Sequence, residues 1–291
     1  MRYQRLNFAS GTSLGTPEGE EHCVRGRGRG SHAEAGTGVA TLWFCLRGQL
    51  EVETSEGVFA LRGRQFLYQS GTHPVKGIAR DAADWVVLAW TPARGGTLRG
   101  RARQPSRLYP LAMPMDRPLL RAAVTLLRAL ESGNDPASAT AHGLRLDAAQ
   151  AQASLVDGWL ERACGRSQAH RRQVLLRLLV PRNRILNEPF AAHDLDGLAA
   201  AARYSKSHFL RLFRDVFGQT PHDLLIATRM ELAKNLIAGS HMAIAEVAAS
   251  VGYESRYAFS RLFKKRVGVT ASDFRNEQAA DSAGAPLRKA A

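Results

Sequence analysis

No stretch of this 291-residue chain is apolar for long enough to cross a membrane. Its strongest runs, residues 41–46 and 85–90, fall far short of the roughly 20 residues that a spanning helix needs. Residues 1–10 place Arg2, Arg5 and Asn7 among their apolar side chains and lack the apolar core of a secretory signal. A cytoplasmic location with no membrane partner is therefore expected. Cysteine is also scarce: Cys23, Cys45 and Cys164 form no CxxC pair and are too few for a disulfide framework, as suits a reducing compartment. Buried or incidental thiols are expected rather than reactive ones. Acids are in deficit, 26 Asp and Glu against 40 Lys and Arg, and the resulting net charge of +14 points to a polyanionic partner. Of that excess, +9 falls in residues 1–177 and only +4 in residues 178–278. The total therefore does not locate the partner's site.

The amino-terminal part reads as strands. In residues 39–53, Leu42, Phe44, Leu46, Leu50 and Val52 share one parity and Glu51 and Glu53 the other, with Arg47-Gly48-Gln49 as the turn. Short runs follow at residues 58–61, 66–68 and 85–90, spaced as in a small sandwich or barrel. Arg25, Arg27 and Arg29 alternate with glycines, so a strand would point all three to one face. That face is either a solvated exterior, or mobile loop, or an anion-binding lining inside the barrel. Residues 91–104, with four arginines, three glycines and no acid, read as a flexible loop. Helical periodicity begins at Asp116, a cap with Pro118 in the first turn, and resumes over residues 136–164 and 168–180. These helices are expected to pack back onto the strands, part of their surface being available for a homodimer. Pro181 is read as the start of the next domain, and residues 279–291 as a disordered tail.

The informative stretch is a repeat. Leu198-Ala199, Tyr204-Ser205, Phe209, Arg211-Leu212-Phe213, Phe217-Gly218 and Thr220-Pro221 recur as Val247-Ala248, Tyr253, Ser255, Phe259, Arg261-Leu262-Phe263, Val267-Gly268 and Thr270-Ala271. The offset is 50 residues from Ser205 onward and 49 before it, because the second copy has one extra turn residue. Each copy reads as helix, tight turn, helix: Asp194 and Ser205 cap in the first, Ser255 in the second. Apolar residues at spacings of three and four bury one face of each second helix and leave cationic and hydroxyl residues outside. This is the pattern of a helix-turn-helix whose second helix enters the major groove. Between the copies, Thr220 and Pro221 open a helix that ends at Gly239. Its length, roughly 27 Å at 1.5 Å per residue, would hold two reading helices about one DNA turn, roughly 34 Å, apart.

Residues 195–275 resemble the DNA-binding region of the AraC/XylS family of bacterial transcription regulators. The second-repeat signature stands as Ile244, Val247-Ala248, Val251-Gly252-Tyr253, Ser255, Phe259, Arg261, Phe263-Lys264, Gly268 and Phe274. Ala271 departs from the family's usual proline, which should weaken the last helix slightly. Around Gly63, Gly71 and His73 the chain resembles the second segment of the cupin barrel, although Arg64 and Gln69 replace that segment's usual acid and proline. The first cupin segment would end at Gly48, with Thr41 at the glutamate position and no histidine in residues 34–37. His32 and His73 alone make a poor metal site, so no metal and no cofactor are expected.

The resemblance implies an α+β protein. A cupin-like β domain (residues 1–115) is followed by a helical dimerisation or linker region (116–180) and a double helix-turn-helix domain (181–278). Its implied role is non-enzymatic: a regulator, by default an activator, that binds double-stranded promoter DNA and recruits RNA polymerase under a small-molecule effector or a regulatory protein. The competing reading is a metal-dependent cupin enzyme with an attached DNA-binding module. Expected base contacts are Lys206, Ser207, Leu210, Arg211, Arg256, Tyr257, Ser260 and Arg261. Expected phosphate contacts are Ser205, Arg214, Ser255, Lys264 and Lys265. Candidate ligand-binding residues in the first domain are Arg25, Arg27, Arg29, His32 and His73.

Overall fold

The computed structural model describes residues 1–15, 21–92, 108–132 and 137–284 and divides into two compact units, Met1–Asn183 and Arg184–Ala291. The first unit begins with β1 (Arg2–Leu6), β2 (Gly11–Ser13), β3 (Glu21–Arg27), β4 (His32–Ala35), β5 (Ala40–Arg47) and β6 (Gln49–Thr54). It continues with β7 (Gly57–Arg62), β8 (Gln65–Gln69), β9 (Val75–Ile78), β10 (Asp84–Trp90) and β11 (Met113–Pro114). One sheet has the order β1-β3-β10-β5-β8-β11 and the other β2-β4-β9-β6-β7. Trp43, Cys45, Leu67 and Val87 of the first sheet meet Leu50, Val52, Phe59 and Leu61 of the second in one core. The sheets remain open. Among the described residues β1 and β11 end one and β2 and β7 the other, so a two-sheet sandwich stands where a closed cupin-like barrel was expected.

The pattern in residues 39–53 resolves differently from its simplest reading. β5 is buried on both faces: Trp43 and Cys45 point between the sheets, while Leu42 and Phe44 point to the opposite side. β6 lies in the other sheet and turns Leu50 and Val52 inward, so the shared parity of Leu42 and Leu50 does not mean a shared face. Gly48, at φ +74°, is therefore a corner between sheets and not a hairpin turn; a left-handed residue there costs glycine little. Burial also sets the thiols. It raises the Cys23 thiol far above its ordinary range and the Cys45 thiol to about 11, whereas Cys164 is exposed.

The helices α1 (Arg117–Glu131) and α2 (Ala137–Arg162) cover the outer face of the first sheet. Asp116 caps α1 through the Leu119 N–H at 2.9 Å, with a proline in the first turn. Leu119, Ala123, Leu126 and Leu127 of α1 and Ala141, Leu144 and Ala148 of α2 bury against Leu42, Phe44, Phe66, Val86 and Leu88. Leu146 and Leu155 of α2 stay exposed. Next, α3 (Gln168–Asn187) contains Pro181, and the two units divide just beyond it, between Asn183 and Arg184, close to the boundary expected at that proline. Burial of Ile185 and the hydrogen bonds from Asn183 to Glu56 and the Pro110 carbonyl offset what a mid-helix proline loses.

The second unit contains α4 (Leu195–Ala201), α5 (Lys206–Phe217), α6 (Pro221–Gly239), α7 (Ile244–Ser250), α8 (Arg256–Val267) and α9 (Ala271–Gly284). Within it α6 packs against α5, α7 and α9. The last helix continues to Gly284 where a tail was expected from residue 279, consistent with the helix propensity of its alanines. Residues 285–291, and most of the expected loop at residues 91–104, lie outside the described residues.

Two glycines in the sandwich make room for its tryptophans. Gly26 pairs directly with Trp85 across β3 and β10, and a Cβ there would fall 2.1 Å from the indole ring. A Cβ on Gly77 would fall 2.2 Å from the Trp43 ring. Both rings are fully buried, 5.9 Å apart, and Trp85 Nε1 donates to Ser31 Oγ at 3.0 Å. Neither ring has space to retreat. Gly26→Ala is therefore expected to destabilise the first unit by about 1–3 kcal/mol. Urea unfolding followed by tryptophan fluorescence checks this selectively, because all four tryptophans belong to residues 1–183.

Candidate nucleic-acid interface

Each copy of the repeat folds as helix, turn, helix. Asp194 caps α4 by accepting from the Gly197 N–H, and Ser255 caps α8 by accepting from the Ala258 N–H at 3.3 Å. Ser205 departs from expectation. It occupies the cap position of α5 with extended backbone, yet its side chain makes no cap hydrogen bond. The turn also requires one left-handed residue in each copy: Arg203 at φ +59° and Gly252 at φ +86°. Gly218 and Gly268, both left-handed, end α5 and α8, and their N–H groups return to the Arg214 and Lys264 carbonyls.

The buried side of α5 is Phe209, Leu212, Phe213 and Val216; that of α8 is Phe259 and Phe263, with Leu262 and Val267 partly buried. This fixes what faces outward. Lys206, Ser207, Leu210, Arg211 and Arg214 on α5 correspond, 50 residues on, to Arg256, Tyr257, Ser260, Arg261 and Lys264 on α8. All are exposed except Ser260, which is half-buried, and none of the ten is an acid. On α8 these five border a groove of about 270 Å³ against Ile244 and Thr270. Tyr257 is 78% exposed, an unusual placement for an aromatic side chain.

Ion pairing divides the cations. Lys206 Nζ lies 2.7 Å from Asp196 with both side chains largely exposed, a contact that solvent screens and a competing anion can displace. Arg266 reaches Asp223 at 3.4 Å. Among the described residues, Arg211, Arg214, Arg256, Arg261, Lys264 and Lys265 have no carboxylate within ion-pair distance, so their charge is uncompensated. An intramolecular role for Arg211 or Arg261 against a carboxylate is thus not what this geometry shows.

The helix ends repeat as well. The Thr220 hydroxyl accepts from the Asp223 N–H at 3.1 Å and donates to its carboxylate at 2.7 Å; Thr270 and Asp273 do the same at 3.2 and 2.7 Å. Ala271 therefore opens α9 under a complete cap despite the missing proline. Sequence reading passed over Arg229, which donates to the Pro189 and Ala191 carbonyls at 2.7 and 3.2 Å and lies 5.3 Å from the centre of the Tyr253 ring. A lone arginine in the middle of a helix gave no sign of this role.

The candidate residues of the first unit do not form one lining. Arg25 lies on the outer face of its sheet, where it binds Asp84 and Glu131, both at 2.7 Å, and not between the sheets. The alternation with Cys23, which is buried against the helices, puts it there. Arg27 ends the strand, half-exposed, 3.4 Å from Asp84, and Arg29 lies beyond it in a turn. His32 is partly buried with Nδ1 3.1 Å from the Gly30 carbonyl, while His73 is exposed on a loop. Among the described residues no three His, Cys, Asp or Glu side chains gather as a metal would require.

Two helix-turn-helix units joined by one helix, each presenting cationic and hydroxyl residues at equivalent outward positions, define a protein of the double helix-turn-helix class. Residues 198–277 match a family model described as a helix-turn-helix domain. The chain is 34% identical over 83 residues to the regulatory protein SoxS of Escherichia coli, a match that covers 28% of this chain and 78% of SoxS. It is 32% identical over 109 residues to the RCS-specific HTH-type transcriptional activator RclR of the same organism, covering 36% of this chain and 38% of RclR. The match thus spans little more than a third of that longer relative. Among solved structures, the DNA-binding domain of AdpA, a global transcriptional factor crystallised with a target DNA, is similar at 28% identity and a TM-score of 0.36, covering 38% of this chain and 98% of that one. The chain belongs to the AraC/XylS family of transcription regulators.

The two turns should respond oppositely to substitution. A Cβ on Gly252 would meet Arg229 Nη2 at 2.8 Å and the Phe190 carbonyl at 2.9 Å, besides the strain of a positive φ. Gly252→Ala is expected to destabilise the second unit by about 1–3 kcal/mol. Arg203→Gly should leave it unchanged or stabilise it by up to about 1 kcal/mol, strain relief being partly offset by the chain entropy of glycine. Urea unfolding followed by helical circular dichroism checks both, with tryptophan fluorescence as an internal control on the other unit.

Proposed function

We propose that this protein is a sequence-specific regulator of transcription that binds double-stranded promoter DNA through α5 and α8. The observation that carries the reading is the pair of equivalent outward sets of five residues, with no acid among the ten and uncompensated cations in both. An α-helix fits the major groove, and α6, 19 residues or about 28 Å long, has the length to space two such helices by roughly one DNA turn. Lys206, Ser207, Leu210, Arg211, Arg256, Tyr257, Ser260 and Arg261 then face base edges. Arg214, Lys264 and Lys265, with the Ser205 and Ser255 hydroxyls at the helix starts, face phosphates. Ser205 suits this role because its side chain is not engaged in capping. Lys206 would exchange Asp196 for DNA at little cost.

The sandwich of residues 1–115, cupin-like at Gly63, Gly71 and His73, is the sensing domain in this reading and responds to an effector or a protein partner. The helices of residues 116–180 offer a homodimer surface, to which the exposed Leu146 and Leu155 of α2 would contribute. Activation agrees with one relative, RclR, which is described as a transcriptional activator; recruitment of RNA polymerase in the cytoplasm is the family expectation carried into this reading. Among the described residues no three His, Cys, Asp or Glu side chains gather as the competing metal-dependent enzyme would need.

Base readers and phosphate contacts behave differently under mutation. Arg256→Ala is expected to lower discrimination between the cognate site and a single-mismatch site by roughly 1–3 kcal/mol, whereas Lys265→Ala should weaken all duplexes alike and reduce the salt slope by about 1. Footprinting on the neighbouring promoter supplies the site, and fluorescence anisotropy over a salt series separates the effects. Identical behaviour of the two variants would remove Arg256 from the base readers.

A further inference from the structure

We propose that the cleft between the outer face of the first sheet and α1 binds a small organic anion, a monocarboxylate with a compact apolar body. The cleft encloses about 400 Å³, within the ordinary range for small-molecule sites. Five arginines line it, Arg25, Arg27, Arg47, Arg64 and Arg128, against only two carboxylates, Asp84 and Glu131.

Those two carboxylates are already engaged. Asp84 holds Arg25 at 2.7 Å and Arg27 at 3.4 Å; Glu131 holds Arg25 at 2.7 Å and Arg5 at 3.4 Å. Arg47, Arg64 and Arg128 therefore converge on the cleft with no carboxylate partner among the described residues. Like charges around a shared concavity repel unless an anion or water intervenes. Arg64 is also held in an unusual conformation, φ +67°, which residues other than glycine seldom adopt. Its backbone is fixed on both sides, the N–H donating to the Cys45 carbonyl and the carbonyl accepting from the Met115 N–H, each at 2.7 Å. Glycine takes such a conformation most readily, so the arginine is held there by its surroundings.

The rest of the lining decides the class of anion. Leu46, Leu120, Val124 and Leu127 form an apolar wall beside the guanidiniums. An inorganic ion would leave that wall wet, and a DNA backbone would not enter a concave cleft of this size. A guanidinium fork receives a carboxylate through two parallel hydrogen bonds, leaving the apolar body of the molecule for the leucines and valine. Position matters too: Glu131 is the last residue of α1, so Arg25 ties the end of that helix to β10 at the edge of the cleft. Binding stands independently of the regulator reading; only an effect of the ligand on DNA affinity would rest on it.

Isothermal titration calorimetry on the full chain tests this with benzoate and octanoate, using benzyl alcohol as a probe without charge and inorganic phosphate as one without an apolar body. At least one carboxylate is expected to bind, with both control probes at least about tenfold weaker. Arg64→Gln and Arg128→Gln should each weaken it by about tenfold or more, as loss of a charge-assisted hydrogen bond does. Both side chains are exposed, and an unchanged tryptophan-fluorescence melt without ligand establishes that the variants are folded. Absence of binding by either carboxylate, equal binding of phosphate or benzyl alcohol, or unchanged affinity in both folded variants would overturn the proposal. DNA affinity is measured separately with and without the carboxylate, so failure to bind DNA leaves the calorimetric result intact.

Discussion

Two phenylalanines one helical turn apart anchor each outward-facing helix of the second unit, and its presented surface follows from them. Phe209 and Phe213 on α5 lie with ring centres 5.5 Å apart; Phe259 and Phe263 on α8 lie 5.6 Å apart, and all four are fully buried. Each such side chain contributes roughly 1.5–3 kcal/mol by leaving water. A short helix held at two points on one side has little rotational freedom about its axis. The polar and cationic positions are therefore fixed as an outward face before any partner arrives, and the ordering cost on association is correspondingly small.

The two copies share this anchor but differ in the joint between their helices. In the first, a non-glycine residue, Arg203, takes the left-handed turn; in the second, Gly252 does, because Arg229 and the Phe190 carbonyl press against it. The same Arg229 closes over Tyr253 and binds two carbonyls of the segment before α4. Thus α6 connects the copies and also supplies the clamp that holds the second turn against the start of the unit. Duplication preserved the anchor and the threonine caps of α6 and α9, while the contacts particular to each position diverged.

Legibility in the sequence followed the range of the interactions. The repeat, its buried faces and its threonine caps depend on residues three or four apart, and all were readable from spacing. The sandwich was readable only as a set of strands. Which face of β5 looks inward depends on a strand from the other sheet and on α1, so the parity of Leu42 and Leu50 could not settle it. Ser205 illustrates the same limit at a single residue: a serine was read as a cap, yet its hydroxyl makes no such bond. Arg25 is the clearest case, since its direction is set by Asp84 and by Glu131, 106 residues away in sequence.

The distribution of charge has the same explanation. Residues 1–177 carry the larger positive excess, but Arg5, Arg25, Arg27, Arg80 and Arg145 there all lie within 3.4 Å of a carboxylate, and most of those contacts fasten one element to another. A paired guanidinium contributes little to the field at a distance, whatever it adds to the formal total. Residues 178–278 have a smaller excess, yet the cations on α5 and α8 are mostly unpaired and occupy equivalent outward positions. A polyanion responds to that local field. What marks the second unit as a partner for DNA in this reading is therefore the placement of unpaired cations at equivalent outward positions of two helices, which composition does not reveal.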